Sequence, residues 1–195
     1  DLPLVMPSNP SSVPVALEQN RLAVAGSSVD DWIPGWDNGE GTDAHRLVDC
    51  DRVVVPDTFA GDQMTSLVAF DMAGPFEPSA TGVLAPSDDI TATAEDVVVS
   101  SQIWVDPAER DEGYEDWSSA LHRFSFSDGA PVYVASGEVP GSIRDDFSLA
   151  MLDDATVGVL TVDVLPWEER AKAKVTARTL ATDGEVLEPL GVLDV

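Results

Sequence analysis

Residues Ala120 to Leu149 read ALHRFSFSDGAPVYVASGEVPGSIRDDFSL, three short runs of strand-forming residues parted by turn residues. Val132–Gly137 is rich in β-branched and aromatic residues, the composition of a half-buried strand. Asp128-Gly129 lies between it and Ala120–Ser127, and Asp-Gly tolerates the backbone of a tight hairpin turn. The two runs are therefore expected to pair antiparallel. Tyr133, Ala135 and Gly137 fall on one face of their strand, with Val132, Val134 and Ser136 on the other. On the preceding run His122 shares a face with Phe124 and Phe126, opposite Leu121 and Arg123. Val139-Pro140-Gly141 places Pro second and Gly third, which suits a type II turn.

The same texture extends outward. From His45 onward, strands are expected at Leu47–Val55, Thr65–Asp71, Thr81–Leu84, Asp96–Val105, Phe147–Leu152, Val157–Val164, Val175–Thr182 and Val186–Val192. Thr182-Asp183-Gly184 reads as a second hairpin turn, and Asp153-Asp154-Ala155 as a third. Asp106–Asp116 is a charged, solvated loop, and Pro166–Lys174 suits a helical turn. Upstream the chain differs. Asp1–Pro14 holds four prolines and reads as an extended arm. Val13–Ala25 has a partly helical pattern closed by Gly26, and Ser28 caps a single turn at Val29–Trp32. The expected organisation is an arm with a helical lead over 1–44, then a β-rich region over 45–195. Such a β-region suits a sandwich, a barrel or a propeller.

Composition narrows the partners. Ten basic residues face 36 acidic ones across 195 positions, a formal charge of −26. That charge repels phosphate backbones and anionic membranes, so neither nucleic acid nor membrane insertion is expected. Cations and basic proteins are compatible. With 44% hydrophobic residues the chain suits a packed domain rather than a disordered acidic segment. An acidic surface with two lysines suits either a high-salt habitat or a soluble extracellular protein. The single cysteine, Cys50, excludes an internal disulfide and reads as a buried structural thiol between two aspartates. The chain opens at DLPLVMPSNP without a basic leader, so an exported protein is expected to be in a processed form.

Three motifs carry a resemblance: Leu121-His122-Arg123-Phe124, Tyr133-Val134-Ala135-Ser136-Gly137-Glu138-Val139-Pro140-Gly141 and Asp145-Asp146-Phe147-Ser148. Together they resemble a recurring segment of the β-propeller domain of secreted bacterial and archaeal proteins. Leu17–Trp32, Leu47–Cys50, Phe59–Gly61 and Leu67–Asp71 look like earlier parts of the same domain. That family commonly has Asn-Gln where this chain has Asp145-Asp146. The resemblance implies antiparallel four-stranded blade-like sheets and an extracellular or cell-surface location, and brings no catalytic residues with it. At about 40 to 50 residues per blade the β-region holds roughly three blades, and a closed ring needs about four or more. This leaves a partial propeller, a ring completed by another polypeptide or a smaller sheet fold.

Residue chemistry favours binding over catalysis. His45 and His122 are the only histidines, and there is no G-x-S-x-G elbow, paired zinc spacing or phosphate-cradling loop. His122 reads first as a core histidine bonded to a backbone carbonyl, and second as a ligand or catalytic group. No EF-hand loop occurs. A calcium ion at a strand end is the one metal expectation, at Asp145-Asp146 first and Asp88-Asp89 second. Trp32, Trp36 and Trp104 are the expected contact residues, because tryptophan is enriched at interfaces. The expected function is a non-catalytic binding or assembly module for a protein partner or another segment of the same polypeptide. The alternatives are a hydrolase using acidic pairs or His122, and a structural subunit completing a ring. Val186–Val192 is the expected contact edge, since Pro189 alone blunts it.

Overall fold

The computed structural model describes residues 4–37, 45–58, 60–61, 63–103, 117–126, 129–163 and 174–195. The chain divides into two compact units, Asp1–Asp49 and Cys50–Val195. Trp104, the Asp106–Asp116 loop, Asp128 and residues 166–173 of the expected helical turn lie outside the described residues.

In the first unit Asn9 caps a tight helical turn, its side chain accepting from the Ser12 amide. Helix α1 (Val13–Ala25) follows and ends at Gly26, as its pattern predicts. The one-turn helix α2 (Val29–Trp32) is held by a reciprocal box, in which the Asp31 carboxylate accepts from the Ser28 amide. Strands β1 (Gly35–Trp36) and β2 (His45–Arg46) pair antiparallel. Described helix is confined to this unit apart from single tight turns, so the chain is mostly β.

Among the described residues the second unit carries eleven strands. The first three are β3 (Val53–Val54), β4 (Thr65–Ala69) and β5 (Ser79–Val83), forming a sheet in the order β3-β5-β4 with β3 parallel to β5. The expected strand Leu47–Val55 is thus broken. Cys50–Arg52 forms a tight helical turn, and Cys50 is exposed rather than buried. The flanking Asp49 and Asp51 are poor strand formers, which lets the run turn.

The remaining strands form two antiparallel four-stranded meanders. The first is β6 (Asp89–Ala92), β7 (Asp96–Ile103), β8 (Ser118–Ser125) and β9 (Val132–Pro140). The second is β10 (Leu149–Met151), β11 (Thr156–Val162), β12 (Val175–Asp183) and β13 (Val186–Asp194). This is the four-stranded antiparallel pattern that the resemblance implies. A parallel bridge, Val186 to Ser136, joins β13 to β9 and makes one eight-stranded sheet. Its two edges, β6 and β10, lie against each other, so the sheet nearly closes like a flattened barrel. The β8–β9 pairing is the expected antiparallel hairpin, with Leu121 opposite Gly137 and His122 opposite Ser136. In the β12–β13 hairpin, Asp183 pairs with Val186, so Gly184 and Glu185 are the central residues. Gly184 has φ +60° at the first of them, the position where a II′ turn needs a residue free of Cβ strain.

Strand alternation explains how the layers stack. Val98, Leu121 and Ala135 point from the first meander into a core shared with Leu149, Val157, Val159, Leu180 and Leu187 of the second. Val97, Val99 and Phe124 point the opposite way, onto Leu67, Val83 and Ala85 of the three-stranded sheet and its flank. The first meander is therefore buried on both faces. Arg123 fastens it to the second. Its Nε and Nη2 donate to Asp96 Oδ1 at 2.9 and 2.8 Å, and Nη1 donates to Thr182 Oγ1 at 2.7 Å. A further bond runs from Nη2 to the Asp154 carbonyl.

Candidate functional site

Among the described residues of the second unit, two places bring chemistry-bearing side chains together. The first is acidic and lies where β6 meets the turn before β10. Asp146 Oδ1 accepts from the Ile90 amide at 2.9 Å, across a gap of 56 residues in sequence. Asp88 Oδ2 accepts from the Gln102 amide at 2.6 Å, and Asp145 Oδ1 from the Ser148 hydroxyl at 2.9 Å. Asp89 stands among them, half-buried. Burial pushes its carboxyl above the ordinary range, and the charges of Asp146, Asp88 and Asp145 push it further. So the two acidic pairs singled out in the sequence meet. Among the described residues, no three carboxylate, imidazole or thiolate groups form a set placed to hold a metal ion. Two of these carboxylates are committed to backbone amides, which positions them but spends acceptor capacity.

The second place is a cleft of about 350 Å³ at one end of the two meanders. Trp117 at the start of β8 and Pro140-Gly141 at the end of β9 supply one wall. Thr161, Val162 and Asp163 at the end of β11 and Thr176 and Arg178 of β12 supply the other. The backbone bridge between Ser142 and Val162 ties the walls together. Nothing in the sequence singles out this site, since its walls come from two separate meanders.

The expected contact tryptophans sit elsewhere. Trp32 is partly exposed and donates from Nε1 to Ser27 Oγ at 2.9 Å. Trp36 lies against the His45 ring at 5.2 Å between centroids. Both belong to the first unit, and Trp104 lies outside the described residues.

His122 is 1% exposed and shares the Phe124 face, as strand alternation predicts. The expected bond to a carbonyl is absent: neither ring nitrogen has a hydrogen-bond partner. Burial lowers its pKa to about 4, so the ring is neutral at pH 7.

A family model described as a β-propeller domain matches residues 10–194. The chain belongs to the β-propeller domain family. The two meanders are accordingly propeller blades packed face to face, with the first strands β6 and β10 lying against each other and the last strands β9 and β13 joined by a bridge. No curated protein and no solved structure matches the chain. In the described part of this propeller domain, no helix is long and apolar enough to cross a membrane.

Proposed function

We propose that this propeller domain is a non-catalytic binding and assembly module that works outside the cell and takes up a further β-sheet on its second blade. The observation that supports this reading is the outward face of that blade. Leu160 of β11 pairs with Ala177 of β12, and Ala177 with Leu193 of β13, giving one apolar row across three strands. Leu160 and Leu193 are 42% and 66% exposed. Leu152, 57% exposed, lies over Gly158 on the same face. In the first blade both faces carry buried apolar residues and both are covered by a neighbouring sheet. An uncovered face of this kind is an association surface. The occupant is another sheet of the same polypeptide or of a partner protein. The acidic composition and the resemblance to secreted propeller proteins support the location outside the cell.

Sedimentation of the full chain tests the reading. Leu160→Glu with Leu193→Glu is expected to abolish concentration-dependent association while preserving the circular dichroism spectrum. A wild-type chain that stays monomeric at every concentration, and pulls down no sheet-bearing partner, would remove it.

A calcium role is a second reading, supported by the crowding of Asp88, Asp89, Asp145 and Asp146. Millimolar calcium is expected to raise the melting temperature of the wild type and to act less on Asp89→Asn with Asp146→Asn. An equal rise in both proteins sinks the assignment.

A further inference from the structure

The cleft between the blades holds a cation with spare donors. Arg178 Nη1 donates to Thr161 Oγ1, and the guanidinium makes no other hydrogen bond and no ion pair of salt-bridge length among the described residues. Among the described residues, four of its five N–H groups have no partner. Three other cations among the described residues of this unit are committed. Arg123 is locked to Asp96, Arg52 donates to Ser79 and to the Pro131 carbonyl, and Lys174 pairs with Asp194. Arg178 is half-buried at the lining of the cleft, where water competes less for its donors.

The rest of the lining restricts what can use those donors. A planar guanidinium matches a carboxylate with two parallel bonds. Trp117, which is 7% exposed, and Pro140 and Val162 form an apolar wall for a carbon skeleton. Asp163 lines the same cleft; its Oδ1 is taken by the Lys174 amide, which leaves Oδ2 to accept from a hydroxyl or an ammonium group. Asp163 and the formal charge of −26 both oppose a dianion, so a phosphate ester fits poorly. A cleft of this volume is at the small end of ligand pockets, which run from about 300 to 1,000 Å³. We propose that this cleft binds a small monocarboxylate that also carries a hydroxyl or ammonium group, either an amino acid or a sugar acid. Arg178 holds the carboxylate, Trp117 and Pro140 face the skeleton, and Asp163 takes the second polar group.

Calorimetric titration of the full chain with a panel of amino acids and of sugar acids, each beside its uncharged amide, tests this. The expected result is saturable binding of members of one class and none of their amides. Arg178→Gln should weaken that binding about tenfold or more, as loss of a charge-assisted hydrogen bond implies, and Arg178→Lys should retain part of it. Asp163→Asn separates the classes, because it weakens an ammonium ligand more than a hydroxyl one. Inorganic phosphate should not compete. Equal binding of acid and amide, effective competition by phosphate, or no saturable binding in either class would overturn the proposal. So would unchanged affinity in a folded Arg178→Gln protein. None of these outcomes depends on the association state tested above.

Discussion

At the scale of single residues, two buried polar groups set the energetics of blade stacking. Arg123 and Asp96 are both nearly excluded from water, and their pair spans the joint between blades through Thr182 and Asp154. Removing one member leaves a buried charge without a counterpart, which costs about 3–5 kcal/mol. Arg123→Met is therefore expected to lower the unfolding free energy by about that amount in urea titration, and the matched pair Arg123→Met with Asp96→Leu by much less. His122 acts in the opposite sense, by refusing a proton. Its folded pKa of about 4 lies below the ordinary 6.5, so the unfolded chain binds a proton first. Stability contributed by the neutral ring is complete above pH 6.5 and declines as pH falls toward 4. The loss over that window is about 3 kcal/mol. In His122→Gln the unfolding free energy should fall less steeply over the same window. Parallel pH curves for the two proteins would show that the ring carries no such linkage.

At the scale of elements, β9 and β13 approach so closely that side-chain volume decides the joint. A Cβ at Gly137 would lie 2.5 Å from the Leu187 carbonyl oxygen and 2.7 Å from its Cβ. Both strands are fixed by their hairpins, so Gly137→Ala must push backbone apart. The expected cost is about 1–3 kcal/mol, typical of overpacking, read from the shift in the urea midpoint. Hairpins were the legible elements, because Gly129, Gly184 and the flanking valines carry their turn and strand signals locally. Strand β6 was not legible: Asp89-Ile90-Thr91-Ala92 contains two poor strand formers and is extended by pairing with β7. The tight turn at Cys50–Arg52 was hidden in an apparently continuous run of strand formers. The two acidic pairs could be named from the sequence, but their meeting depends on how first strands stack. Trp117 and Arg178 carry no shared motif, and only the juxtaposition of two blades makes them neighbours. The edge expected at Val186–Val192 also changes meaning. Leu187 is 2% exposed in the shared core and Val186 bridges to Ser136, while Leu190, Val192 and Leu193 stay exposed.

At the scale of the whole molecule, the formal charge of −26 works against compaction. Salt screens that self-repulsion over a Debye length of about 10 Å at 0.1 M and about 3 Å at 1 M. The melting temperature should therefore rise steadily with sodium chloride in this range; a flat or falling response would show that the acidic surface costs the fold nothing. Among the described residues, the first blade is the one layer whose two faces both supply a core, with Val98 on one side and Val97 and Val99 on the other. It is the central page of a bound stack, unable to loosen until both neighbours have. Amide hydrogens of β7 and β8 should consequently be the last to exchange with deuterated water, and only through global opening, whereas β4 and β13 exchange through partial openings of their own. A chain built this way has one cooperative heart, and its outer sheets can open while that heart stays closed.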